Sequence, residues 1–121
     1  MMRRLLPLLL AALLFAPLPA LAQGWVTKQK AELQFLDKIT ARVTRLEVQV
    51  GKPLTYGTLE ILVGACRTRP PGEVPDSTAW LEVLDSRRPG ETMFRGWMFA
   101  SAPAVSMMEH PIYDLRVLDC R

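Results

Sequence analysis

An apolar period of two runs through this chain and leaves little room for helix. Leu59, Ile61, Val63 and Ala65 alternate with Thr58, Glu60 and Leu62 as far as Cys66, and the β-branched content fits a half-buried strand. Ala31 to Phe35 alternates in the same way. Ile39, Ala41 and Val43 share a face, but after Arg45 the phase changes, and Leu46, Val48 and Val50 alternate with Glu47 and Gln49. That change predicts a β-bulge near Arg45, or a bend between two strands. Further strands are expected over Thr78–Leu84, with Trp80 on one face and Leu81 and Val83 on the other, and over Thr92–Phe99, where Gly96 marks a bulge or a close backbone approach. In the last strand, Ile112–Cys120, Tyr113, Leu115 and Val117 fall on one face and Cys120 on the other. No amphipathic helix longer than about two turns is visible. The expected fold is all-β, a small antiparallel β-sandwich or barrel of about six to eight strands.

The 121 residues suffice for one small domain. Arg3 and Arg4, the apolar run Leu5–Leu14, the helix-stopping Pro17 and Pro19, and Ala20-Leu21-Ala22 form the three-part pattern of a secretory signal peptide over residues 1–22. Residues 23–30 are expected to be a flexible lead-in and 31–121 a single β domain. The mature protein is therefore expected in the periplasm, with no transmembrane segment after cleavage. Cleavage also removes Arg3 and Arg4, leaving 13 of the 15 basic residues against 12 acidic ones, a formal charge of +1. A nearly neutral domain gives no reason to expect nucleic acid as a partner.

Two cysteines remain, Cys66 and Cys120. In a small exported domain an even count reads as a disulfide, and two cysteines allow one pairing. Closing a loop of about 50 residues is worth ~4 kcal/mol in chain entropy, comparable with the net stability of a small domain.

The densest chemistry lies late in the chain. Phe94 to Pro103, Glu109-His110-Pro111 and the final strand hold two of four Phe, one of three Trp, one of two Tyr and the lone His. Pro111 restricts His110 to an extended conformation. His110 can then satisfy a neighbouring carbonyl, while Glu109 or Asp114 holds a backbone amide. A sharper reading makes Trp97, Phe99, Glu109, His110 and Tyr113 an interaction patch, because aromatic residues anchor interfaces. A small hydrolase or glycan-acting enzyme would use His110 with an acidic neighbour and Ser101 or Ser106, though no nucleophile elbow exists. A copper handler would gather Met93, Met98, Met107, Met108 and His110, but no methionine repeat supports it. No phosphate loop or metal-ligand spacing is present, and no cofactor is expected. Residues 67–76, with three prolines and a glycine, cannot be regular structure; Arg67 and Arg69 there, and Arg87-Arg88 in the turn Asp85–Glu91, read as solvated charges.

Several runs together carry a resemblance: Leu36-Asp37-Lys38-Ile39-Thr40-Ala41-Arg42-Val43, Tyr56-Gly57-Thr58-Leu59-Glu60-Ile61, Ala65-Cys66, Pro70-Pro71-Gly72-Glu73, Phe94-Arg95-Gly96-Trp97-Met98-Phe99-Ala100-Ser101, Glu109-His110-Pro111-Ile112-Tyr113-Asp114 and Val117-Leu118-Asp119-Cys120. The chain resembles, from about Leu33 onward, the alphaproteobacterial envelope proteins of domain of unknown function 2155. The resemblance implies a secreted or periplasmic domain with a cysteine pair and supplies no activity. The expectation is a periplasmic binding or interaction module, an accessory of a cell-envelope complex whose partner is an envelope protein.

Overall fold

The computed structural model describes residues 24–121. The expected leader, residues 1–22, lies outside them. Eight strands form two antiparallel sheets: β1 (Val26–Lys28), β2 (Lys30–Asp37), β3 (Arg42–Gln49), β4 (Leu54–Tyr56), β5 (Leu59–Thr68), β6 (Ser77–Asp85), β7 (Thr92–Phe99) and β8 (Tyr113–Cys120). One sheet has the order β1-β5-β6-β7, with β4 also on β5; the other has the order β3-β2-β8. A 3₁₀ turn at Pro103–Val105 interrupts the β7–β8 connection. The all-β sandwich read from the alternation is what forms.

The two sheets bury one apolar layer between them. Leu33 and Phe35 of β2, Val117 of β8, Leu59, Ile61 and Val63 of β5, and Leu81 and Val83 of β6 are all fully or nearly fully buried. Each is one of an alternating set, as expected when one sheet face meets another. Fully burying such a side chain is worth roughly 1.5–3 kcal/mol, so this layer carries most of the driving force for folding.

Three one-residue bulges rephase the strands. In β5, Val63 opposes Leu81 and Ala65 opposes Trp80, so Gly64 is the extra residue. In β8, Val117 opposes Leu33 and Asp119 opposes Glu32, so Leu118 is the extra residue. In β7, Phe94 opposes Val83 and Thr92 opposes Leu84, so Met93 is the extra residue. A bulge moves every later side chain to the other face. Simple alternation places Ala65 inward beside Val63 and turns Cys66 and Cys120 away from the core. The bulges at Gly64 and Leu118 reverse this, and both cysteines are buried. They form a disulfide across the two sheets, with Cα atoms 5.6 Å apart and a sequence separation of 54. Gly64 suits its place because a Cβ there would sit 2.9 Å from the Trp80 ring.

Several local expectations need correction. No bulge occurs near Arg45: β2 and β3 pair without a break from Lys30–Gln49 to Asp37–Arg42. The apparent phase change arises because Ile39 and Ala41 lie in the hairpin turn. There Asp37 Oδ1 accepts from the Ile39 and Thr40 amides at 2.9 and 3.2 Å, and Ala41 adopts φ 59°. Val43 belongs to the outer face and is 55% exposed. Gly96 is not bulged either; it pairs directly with Leu81. The segment expected to be a flexible lead-in, residues 23–30, contributes Val26–Lys28 to the edge of β5 and Lys30 to β2. Arg67 and Thr68 extend β5, paired with Thr78 and Ser77, and the irregular loop begins only after them.

Replacing both cysteines with alanine is expected to lower unfolding free energy by about 2–5 kcal/mol. The measurement is the urea midpoint against the oxidised wild type; an unchanged midpoint would show that the bridge contributes nothing.

Candidate functional site

Two constellations stand out, on opposite sides of the five-stranded sheet. The first is internal. His110, which precedes Pro111 at the end of the β7–β8 connection, is 6% exposed, and Asp85 at the end of β6 is 5% exposed. His110 Nε2 lies 2.7 Å from Asp85 Oδ2. Its Nδ1 accepts from the Ile112 and Tyr113 amides at 3.0 and 3.2 Å. Two donors on Nδ1 assign the ring proton to Nε2, which donates it to the Asp85 carboxylate. Asp85 Oδ1 also accepts from the Arg87 amide at 2.9 Å. The His110 hydrogen bond, reinforced by the Arg87 amide against the opposing effect of burial, holds the Asp85 carboxyl down at about 2.

Neighbouring groups fix this pair. Lys38 Nζ donates to the His110 carbonyl at 2.7 Å and pairs with Asp114 Oδ1 at 2.9 Å. The His110 ring lies 5.3 Å from Tyr113, which meets Tyr56 edge-on at 5.6 Å; Tyr56 stacks on Phe35 at 4.3 Å. Gly57 gives Tyr113 its space, because a Cβ at that position would overlap the phenol hydroxyl. Imidazole and carboxylate together resemble half of a proton-transfer site, but Nδ1 is taken by two backbone amides, leaving the ring no lone pair for a substrate. Ser101 donates its hydroxyl to Asp76 Oδ2 at 2.7 Å. Met98 and Met108 are buried in the core while Met107 is 59% exposed. Among the described residues no cluster of three His, Cys, Asp or Glu side chains could hold a metal.

The second constellation covers the outer face of the β1-β5-β6-β7 sheet. The register sets Arg67, Thr78 and Phe99 in one row and Ala65, Trp80 and Trp97 in the next. Trp80 and Trp97 meet edge to face at 5.7 Å. The Arg67 guanidinium lies 5.2 Å from the centre of the Trp97 ring, and Arg69 lies 4.1 Å from that of Trp25. Trp25 in turn contacts Phe99 at 6.4 Å. Trp25, Arg67, Thr78, Trp97 and Phe99 line an open groove of about 290 Å³. All three tryptophans and Phe99 remain partly exposed. Arg69 pairs with Glu73 at 3.7 Å and Arg95 with Glu82 at 3.5 Å. Arg67 has no ion-pair partner among the described residues.

The five residues expected to form one patch are thus divided. Trp97 and Phe99 lie in the outer groove, His110 and Tyr113 are internal, and Glu109 is exposed in the connection. The outer face instead recruits Trp25, Trp80, Arg67 and Arg69. Asp85 takes the role with His110 that was expected of a neighbouring carbonyl. Cross-strand register gathers the outer-face groups, and the path of the β7–β8 connection brings His110 to Asp85, 25 positions away in sequence.

The fold and its bridge define a disulfide-stapled antiparallel β-sandwich. The chain belongs to the family described as "Uncharacterized protein conserved in bacteria (DUF2155)", which matches residues 31–120. It is similar to "Uncharacterized protein RP359" of Rickettsia prowazekii (strain Madrid E), 26% identical over 87 residues. That match covers 70% of this chain and 56% of the relative, so the chain spans little more than half of the relative's length. No solved structure matches the chain.

His110→Ala strands a buried carboxylate and is expected to lower stability by about 1–3 kcal/mol, measured by urea unfolding at neutral pH. Because the folded Asp85 carboxyl titrates below its ordinary value of 3.8, at about 2, its contribution is present above the ordinary value. It is lost as pH falls through the folded one. Thermal unfolding between those pH values should show this loss in the wild type and show a smaller loss in Asp85→Asn; equal slopes would remove the pair from the acid response.

Proposed function

We propose that this protein is a periplasmic interaction module, an accessory of a cell-envelope complex, that docks an envelope protein on the outer face of its five-stranded sheet. One observation carries the reading: Trp25, Trp97, Phe99 and Arg67 line a solvent-facing groove of a small domain, with Trp80 packed on Trp97 and Arg69 on Trp25 beside it. Trp and Arg are the residue types most enriched among energetic anchors of protein interfaces, and on a monomer surface a concentrated aromatic patch is unusual. The Arg67 guanidinium over Trp97 keeps N–H edges for a partner's acceptors, while Arg69 over Trp25 is shared with Glu73.

Export is part of the same proposal. A buried cross-sheet disulfide suits an oxidising compartment, and the pattern of residues 1–22 suits passage through the inner membrane. Among the described residues no helix is long and apolar enough to cross a membrane.

The test is affinity capture from envelope extract with tagged mature protein, comparing wild type with Trp97→Ala. A hot-spot loss of about 2 kcal/mol, or about thirtyfold in affinity, is expected, with the thermal midpoint close to that of the wild type. Equal recovery of the same partner by both proteins would remove the groove from the interface, and recovery of free protein alone under all salt and detergent conditions would remove the interaction role.

A further inference from the structure

Five strands lie at open edges of this sandwich: the short β1 and β4 along β5, and β7, β3 and β8 at the outer limits of their sheets. Folded proteins protect such edges with short strands, charges or bulges, because an open edge invites another strand. β1 and β4 have three residues each. β3 carries Arg42, Arg45 and Glu47, and β8 carries Asp114, Arg116, Asp119 and the Leu118 bulge. β7 is eight residues long, holds only Arg95 as a charge, and confines its bulge to Met93 near its start.

The hydrogen-bond phase of this edge follows from one contact. The Ala100 amide donates to the Ser77 carbonyl at 2.8 Å, which makes that row a hydrogen-bonded pair. In an antiparallel ladder such rows alternate with rows whose peptide groups point away from each other. Ala79–Met98, Leu81–Gly96 and Val83–Phe94 therefore bond across β6 and β7. The intervening rows, Trp80–Trp97 and Glu82–Arg95, turn the N–H and C=O groups of Trp97 and Arg95 toward the open edge. Phe99 follows the same phase, but its carbonyl already accepts from the Ala102 amide.

We propose that β7 is a strand-addition site that takes an extended peptide segment bearing a carboxylate beside Trp97. This deepens the reading of the outer face as a docking surface and rests on it. An added strand lies about 4.8 Å from β7, and its residue opposite Trp97 bonds both peptide groups while its side chain shares the outer face. There it meets the Trp97 ring and the Arg67 guanidinium that has no carboxylate within the described residues. Apolar alternate residues turn to the other side. Backbone bonds give affinity and the Arg67–Trp97 pocket selects the acidic side chain, as in other strand-addition recognition. A second copy of this chain fits less well: its own β7 offers Arg95 and no carboxylate.

The probe is acetyl-(Val-Glu)₄-amide, titrated at up to millimolar concentration against the mature protein by amide NMR with hydrogen exchange. Binding with slowed exchange at Arg95 and Trp97 is expected, at least tenfold tighter than for acetyl-(Val-Lys)₄-amide. Arg95→Ala keeps the edge N–H and should lose less than threefold; Arg95→Pro removes it from a position where proline spares the β6 ladder and should lose at least tenfold. If Arg95→Pro does not fold, the same loss is read on the unaltered protein with a probe N-methylated at each Glu. No change on N-methylation, equal binding of the lysine probe, or peptide-free protection of Arg95 in a concentration-dependent dimer would overturn strand addition. Capture of the envelope partner separates the two readings: loss with Trp97→Ala but retention with Arg95→Pro leaves docking on the face and removes strand addition alone.

Discussion

The bond between Cys66 and Cys120 depends on two backbone irregularities that put both sulfurs inside. Cys66 lies near the end of β5 and Cys120 ends β8, and in each strand the preceding alternation points the cysteine outward. Gly64 and Leu118 each add one unpaired residue just before it, and each thereby turns its strand's end inward. A covalent link between the two sheets is then possible without disturbing the layer formed by Leu33, Ile61, Val63, Leu81 and Val117. Bridge and bulges belong together: either bulge alone would leave one sulfur inside and the other outside.

The buried polar pair at the opposite end of the sandwich serves the same purpose by other means. His110 joins the end of β6, through Asp85, to the start of β8, through the Ile112 and Tyr113 amides. It is satisfied on both ring nitrogens, so it can occupy the interior without the penalty that an unpaired imidazole and carboxylate would carry. The disulfide ties the sheets at one end and this hydrogen-bonded junction ties them at the other. Between the two ties, the outer surface of the five-stranded sheet has no structural duty that explains three tryptophans.

Much of the fold was legible because strand alternation is a local property. Leu59 to Val63 and Tyr113 to Val117 each announce their inner face without reference to any neighbour. What remained hidden was the register between strands. Nothing in Ala65-Cys66 or Leu118-Asp119-Cys120 shows where a residue drops out of the ladder, since a bulge exists only relative to the partner strand. The same limit explains the candidate sites. Trp97 and Phe99 were visible as an aromatic pair two residues apart, but Trp80, Arg67 and Trp25 join them only through pairing of β1, β5, β6 and β7. Asp85 looked like one more charge in a hairpin turn, and Val43 looked like a core residue until the turn before it was placed.

The partner of β2 on its inner edge is its hairpin neighbour β3, while its other partner, β8, follows all the remaining strands. A chain that emerges from its N-terminal end therefore presents β2 long before the strand that completes its sheet. During that interval Leu33 and Phe35 sit on a two-stranded ribbon, which is marginal on its own, while β5, β6 and β7 can already zip together as consecutive neighbours. Non-local pairing of this kind slows folding. The half-built molecule is thus a wide apolar surface awaiting its cover, and any factor that holds unfinished chains would find its substrate in that waiting state rather than in the finished sandwich.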